Sequence, residues 1–216
     1  MAQFDENGKK MVVKIVYYGP ALSGKTTNLM RLHDVVNPSR RGDLLTLETK
    51  GDRTLFFDLL PLAARSKSNF LAKIKLYTVP GQVAHDATRK AVLSRADGVV
   101  FVADSQLTQS MSNFESFDNL ENNAQRVGLD LDSLPLVIQY NKRDLRDIEP
   151  EDEVSARWSP TGLPLVFATA LKGLGVVETF QQILSATYQS LDRMHGLEKN
   201  FDMAEEDFLS LLEGRR

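Results

Sequence analysis

The chain has 216 residues, 42% of them hydrophobic and 25% charged, a balance that suits one folded domain with a full core rather than a disordered segment. Lys and Arg number 26 against 29 Asp and Glu, a net charge of −3, so nothing calls for nucleic acid or an anionic membrane surface. The chain has no cysteine, which removes disulfides, thiolate metal sites, thiol catalysis and thiol-linked lipid anchors. The opening "MAQFDENGKK" carries no apolar secretory core, Ala2 excludes N-myristoylation, and no run reaches the ~18 apolar residues of a membrane span. A soluble cytoplasmic protein without a stable membrane anchor is the expectation.

Residues 1–10 read as a flexible leading segment. Val12 to Tyr18 is an apolar strand, and Lys25 to Val36 has helical spacing. "TLFFDLL" (Thr54 to Leu60) and "KIKLYTV" (Lys73 to Val79) read as strands, and Ala84 to Ser94 as a helix. "GVVFVAD" (Gly98 to Asp104) is a buried-strand run. Phe114, Phe117, Leu120, Ala124 and Val127 recur at helical spacing. "LPLVIQYN" (Leu134 to Asn141) and "LPLVFAT" (Leu163 to Thr169) close the set of strands. Between them "DIEPEDE" reads as a solvated helix start. Phe180, Ile183, Leu184, Thr187 and Leu191 mark a long helix. Strand–helix alternation of this kind implies an α/β, three-layer fold, a mostly parallel six-stranded sheet with helices on both faces. Its ligand belongs beyond the carboxyl ends of the strands. The domain is expected over 11–195. The stretch 196–216, with Phe201, Phe208, Leu209, Leu211 and Leu212 among acidic residues, reads either as a helix packing on its own domain or as a docking helix for a partner.

"GPALSGKT" lies between the first strand and the first helix. A polyphosphate has to be wrapped by backbone N–H groups. Gly19 and Gly24 let the chain approach closely, with Ala21, Leu22 and Ser23 between them, and the helix presents its positive end at Thr26 and Thr27. Lys25 can reach the β- and γ-phosphates, and the Thr26 hydroxyl can bind Mg²⁺. "NKRD" follows a buried strand directly. The Asp144 carboxylate there can accept the N1–H and N2–H of guanine, whereas adenine would meet it with a lone pair. Asn141 can read the Hoogsteen side of the base, and the Lys142 stem can lie along it. Ala170 and Leu171, after the last strand, can offer a backbone N–H to the guanine O6.

Together these segments resemble a P-loop NTPase of the Ras-like class. "KIVYYGPALSGKTTNL", "DRTLFFDLLP", "LYTVPGQV", "DGVVFVADSQ" and "VIQYNKRDL" more closely resemble the bacterial MglA-type small GTPases of cell polarity and gliding motility. The resemblance covers about residues 12 to 192. It implies GTP and GDP with Mg²⁺ as ligands, a Gln82 that orients the attacking water, and a Gly81 N–H on the γ-phosphate. It also implies an Arg53 entering the site when a partner reshapes the switch, and that partner is a roadblock-domain activator of the MglB type, alongside effectors. Thr54 resembles the switch threonine that closes over Mg²⁺, with Thr46 and Thr49 as rivals for the role. Thr78 stands where most small GTPases carry the aspartate of "DxxG", which leaves the metal shell one anion short. Ala21 stands where the MglA branch often has glycine. Ala21 and Thr78 favour a nucleotide-held scaffold with negligible turnover. Gln82 and Arg53 favour a hydrolysing switch.

Overall fold

A computed structural model describes residues 2–5, 9–48, 56–81 and 85–212. Among them the chain order is β1 (Gln3–Asp5), β2 (Lys10–Tyr18), α1 (Lys25–Val35), β3 (Leu45–Glu48), β4 (Phe56–Arg65) and β5 (Leu71–Thr78). There follow α2 (Asp86–Leu93), β6 (Gly98–Asp104), α3 (Ser110–Arg126), β7 (Leu136–Asn141), α4 (Glu151–Trp158), β8 (Leu165–Phe167) and α5 (Val176–His195). Two short helices follow, α6 (Leu197–Phe201) and α7 (Glu205–Leu209). The strands form one sheet in the order β3-β4-β5-β2-β6-β7-β8, with β1 pairing β2.

The sheet is α/β and mostly parallel, as expected, but has eight strands among the described residues rather than six. β5, β2, β6, β7 and β8 run parallel, while β4, β3 and β1 are antiparallel to their neighbours. The two extra strands, β1 and β3, are short, β1 pairing the first residues of β2 and β3 ending the sheet, and both lack the continuous apolar run that marks a buried strand. β1 falls within the segment expected to lead flexibly. β4 runs through Pro61 to Arg65, past the expected end at Leu60. β3 pairs β4 only as far as Leu59, so no ladder partner awaits the missing N–H. On that side the Pro61 carbonyl instead accepts from Gly42 N–H at 2.9 Å.

Alternation along the strands sorts the core into two layers. Met11, Val13, Ile15 and Tyr17 of β2, with Val100 and Val102 of β6, face α1 and α5, where Leu29, Leu32, Phe180, Ile183 and Leu184 meet them. Val16 and Tyr18, with Val99, Phe101 and Ala103, face the other layer, which holds Val92, Leu93, Leu120, Ala124 and Val154 of α2, α3 and α4. Each fully buried aliphatic side chain contributes roughly 1.5–3 kcal/mol. Phe114 departs from the expected apolar face of α3: it is 69% exposed, while Phe117 packs edge-on against Phe101 and Trp158. The helix is one residue out of phase there because Asn113, not Phe114, turns inward to hold both the N–H and the carbonyl of Asp104.

α2 is tied to α3 by directional bonds rather than by apolar area alone. The Tyr18 hydroxyl donates to Asn119 Oδ1 at 2.7 Å, and the amides of Asn119 and Asn123 donate to Asp86 at 2.8 and 2.6 Å. These two bonds hold the Asp86 carboxyl below its usual range. Arg89 is fully buried, lies over the Tyr18 ring at 4.4 Å and donates to Ser116 Oγ at 2.8 Å. The acidic stretch before α4 does form a helix start, with Glu151, Asp152 and Glu153 in the first turn.

Candidate functional site

The carboxyl ends of β2, β5, β6, β7 and β8 lie at one edge of the sheet, and the described phosphate-loop, Gly81, Asn141–Asp144 and Ala170–Leu171 segments each follow one of these strands. Gly19 has φ 143°, and a Cβ there would sit 2.2 Å from the Val102 carbonyl oxygen. Gly24 has φ 99°, and a Cβ there would sit 2.2 Å from the Asn141 amide nitrogen. Neither position tolerates a side chain, on backbone conformation and on space alike. Ser23 is buried, Leu22 is exposed with a positive φ of 62°, and Thr27 is half-buried in the first turn of α1. Lys25 is buried and donates to the carbonyls of Gly19 and Pro20 at 3.0 and 2.6 Å. Burial, and after it the Arg89 charge, outweigh the opposing pull of Asp58 and together lower its pKa to about 7.

Gly81 abuts the loop from the far side. A Cβ on it would fall 2.2 Å from Ala21 Cα and 2.6 Å from Ala21 N, so this glycine is needed for close approach. A cavity of about 330 Å³ opens between the two, lined by Gly24, Lys25, Thr26, Asp58, Thr78 and Gly81 among others.

Asp58 is the residue that sequence reasoning missed. Its carboxylate accepts from three hydroxyls: Thr26 at 2.6 Å, Thr78 at 3.0 Å and Thr46 at 3.0 Å. Its own N–H donates to Thr78 Oγ1 at 2.8 Å. A carboxylate from the neighbouring antiparallel strand therefore stands beside Thr26 and Thr78. A signal was present: Asp58 shares its strand face with Leu60, Leu62 and Ala64, and a buried acid in an apolar strand needs a partner. Thr46 reaches this corner directly across the β3–β4 pair, in register with Asp58. Thr49, Arg53, Thr54 and Gln82 lie outside the described residues.

The base-side loop is built onto the phosphate loop. Asn141 donates to the Ser23 carbonyl at 2.8 Å and accepts from Ala170 N–H at 2.8 Å. Lys142 takes a positive φ of 69°, and its ammonium meets buried Asp104 at 2.6 Å. Arg143 N–H donates to the Ala168 carbonyl, and its guanidinium stacks on Phe167 at 5.0 Å. Asp144 stays partly open, with Lys172 Nζ at 3.6 Å. The Leu171 carbonyl accepts from Arg31 of α1 at 2.6 Å. Behind the loops, Asn28 of α1 and Gln139 of β7 exchange two buried bonds at 2.8 and 3.0 Å. Asn141 thus ties the Ala170 loop directly to the phosphate loop. Asn141 and the Ala170 N–H, expected on the base, here clamp the two loops together.

No protein-family model matches the chain. The chain is similar to the "Mutual gliding-motility protein MglA" of Myxococcus xanthus (strain DK1622). The two are 42% identical over 193 residues, 89% of this chain and 99% of that protein.

Proposed function

Because the chain belongs to the family of MglA-type small GTPases, we propose that it is a GTP-binding and GTP-hydrolysing switch. Its output is cell polarity, motility or the spatial placement of other proteins, delivered in the cytoplasm through partners that read the nucleotide state. The observation that carries the reading is the Asn141 clamp, which ties a phosphate cradle to a base-reading loop. A nucleotide bridging the two gains from both without paying to align them.

The roles follow from position and chemistry. The backbone of Gly19, Ala21, Leu22, Ser23, Gly24, Lys25, Thr26 and Thr27 wraps the phosphates, and Lys25 exchanges its loop carbonyls for phosphate oxygens. Asp144 accepts from guanine, Lys142 covers the base, and the loop at Ala170 and Leu171 borders it. The Thr26 and Thr78 hydroxyls and the Asp58 carboxylate form an all-oxygen donor set that fits a hard divalent cation such as Mg²⁺, with Thr54 joining from the switch. Mg²⁺ there neutralises phosphate charge. Gln82 orients the attacking water, Gly81 offers an N–H to the γ-phosphate, and Arg53 supplies charge when a roadblock-domain partner of the MglB type engages. The hydrolysing reading is tested by single-turnover hydrolysis of bound GTP with and without that partner. A slow rate raised manyfold supports it, and a flat near-zero rate with GTP still bound refutes turnover.

Two further results are expected. Asp58→Asn removes the anion from this corner, and the loss of one charge-assisted interaction on the metal side, worth about 1.5–3 kcal/mol, should raise GDP release in Mg²⁺ about 10- to 100-fold. Stopped-flow release of a fluorescent GDP checks this, and an unchanged rate removes Asp58 from the metal corner. The second concerns Lys25, whose pKa in the open loop is about 7. Phosphates favour its ammonium form, so the bound state holds more protons than the free state above pH 7. Affinity then falls as pH rises, by up to about tenfold per unit. Calorimetry at pH 8 in two buffers of different ionisation enthalpy should show proton uptake close to one per nucleotide. Buffer-independent heats would contradict it.

A further inference from the structure

The C-terminal extension is seated on the strand that carries Asp58. α6 and α7 each span five residues, too short to stay helical alone. They are held by Leu197, Met203, Phe208 and Leu211, all fully buried, in the same apolar cluster as Leu60, Leu62 and Ala64 of β4. α7 and the turn Ser210–Leu212 pack against β4, and α7 also packs against α5. Polar bonds fix the same seating. The Tyr188 hydroxyl donates to the Met203 carbonyl at 2.9 Å, the Ser185 hydroxyl donates to Glu205, and Ala204 N–H donates to Asp207 at 3.0 Å.

One contact reaches further. The Arg40 guanidinium donates to the Ser210 hydroxyl. Arg40 ends the turn Pro38–Arg40, which lies between α1 and β3 and itself packs on β4. Arg41 bridges to Leu62, and Gly42 N–H donates to Pro61. The extension, the α1–β3 connection and β4 are therefore one packed unit. Two of its segments deliver Thr46 and Asp58 to the corner where Thr26 waits.

We infer that residues 196–212 form a strap that holds β3 and β4 in place at the metal corner and so slows release of the Mg²⁺–nucleotide complex. This rests on the guanine-nucleotide reading above. The Thr26 to Asp58 bond is 2.6 Å, and hydrogen bonds weaken steeply with displacement, so a small shift of β4 loosens the corner. The coupling is reciprocal: a metal that engages Thr26 and Asp58 from the site side holds the strap from below.

The test measures release of fluorescent GDP from the full chain, in Mg²⁺ and in EDTA, for Arg40→Gln, Ser210→Ala and Phe208→Ala. Release should be several-fold faster than in the unaltered protein with Mg²⁺ and the same as it in EDTA, where no metal remains to be held. Equal rates in Mg²⁺ overturn the strap, and so does an equal acceleration in EDTA, which marks general loosening. Hydrogen exchange on the unaltered protein gives an independent reading that no folding defect can confuse. Amides of 205–212 should be better protected with Mg²⁺–GDP than with GDP in EDTA, and identical protection overturns the proposal. A chain that binds no GDP at all overturns the nucleotide reading, and the strap falls with it. Binding with normal Mg²⁺ dependence but indifferent variants removes the strap alone.

Discussion

Asp144→Asn should lower the preference for GTP over its xanthine analogue by ~10⁴-fold, the scale on which a site built for hydrogen-bonding groups rejects a ligand that lacks them. The carboxylate accepts two guanine protons. An amide keeps one acceptor and gains a donor, which suits the C2 oxygen of xanthine. The surroundings favour a clean exchange. Asp144 is partly open, its neighbour Lys172 stands at 3.6 Å, and the loop is positioned by Asn141, Lys142 and Arg143 rather than by Asp144 itself. The substitution should therefore change the base preference and leave stability close to unchanged. Competition of GTP and xanthosine triphosphate for fluorescent GDP measures it. Unchanged selectivity would place base recognition elsewhere.

Arg53→Ala should leave GDP and GTP affinity intact and reduce partner-stimulated hydrolysis by ~10³–10⁵-fold, the span over which a guanidinium acts on a transferring phosphoryl group. Phosphoryl transfer asks the protein for position and charge, and charge builds on oxygens that only a late-arriving cation can meet. Lys25 is already committed to the cradle, and Arg89 is buried against Tyr18 and Ser116, so neither of these two is placed to arrive. Ala21 is the neighbour to watch. It touches Gly81 closely enough that the cradle wall at this point has little slack. Ala21→Gly should raise the stimulated rate if that methyl obstructs the guanidinium. Single-turnover hydrolysis with the proposed roadblock-domain partner reads both variants. A stimulated rate that survives Arg53→Ala means the charge comes from another residue.

Some of this site could be read from the chain and some could not, for a physical reason. Gly19 and Gly24 were legible because a backbone cradle admits few residue types. Asn141 and Asp144 were legible because they follow a buried strand at its carboxyl end. Asp58 was not, because its partners Thr26, Thr46 and Thr78 come from three separate segments that only pairing register brings together. Periodicity says that a residue faces inward and is silent on which strand lies beside it. β3 was missed for a similar reason, since four residues at an edge carry too little pattern to stand out. The apolar positions of the extension were plain in the sequence. The surface they cover was not, since nothing in a local pattern names a long-range partner.

Gly24 and Asn141 occupy space that only one of them can enlarge, with 2.2 Å between an imagined Cβ and the amide nitrogen. For protein engineering this links two choices that look independent. A library that varies the base-reading loop at Asn141 also varies the wall behind the phosphate glycine, and bulkier members will be lost for reasons unrelated to the base. Retargeting this protein to another nucleotide is best done at Asp144, whose side chain can change without the cradle noticing.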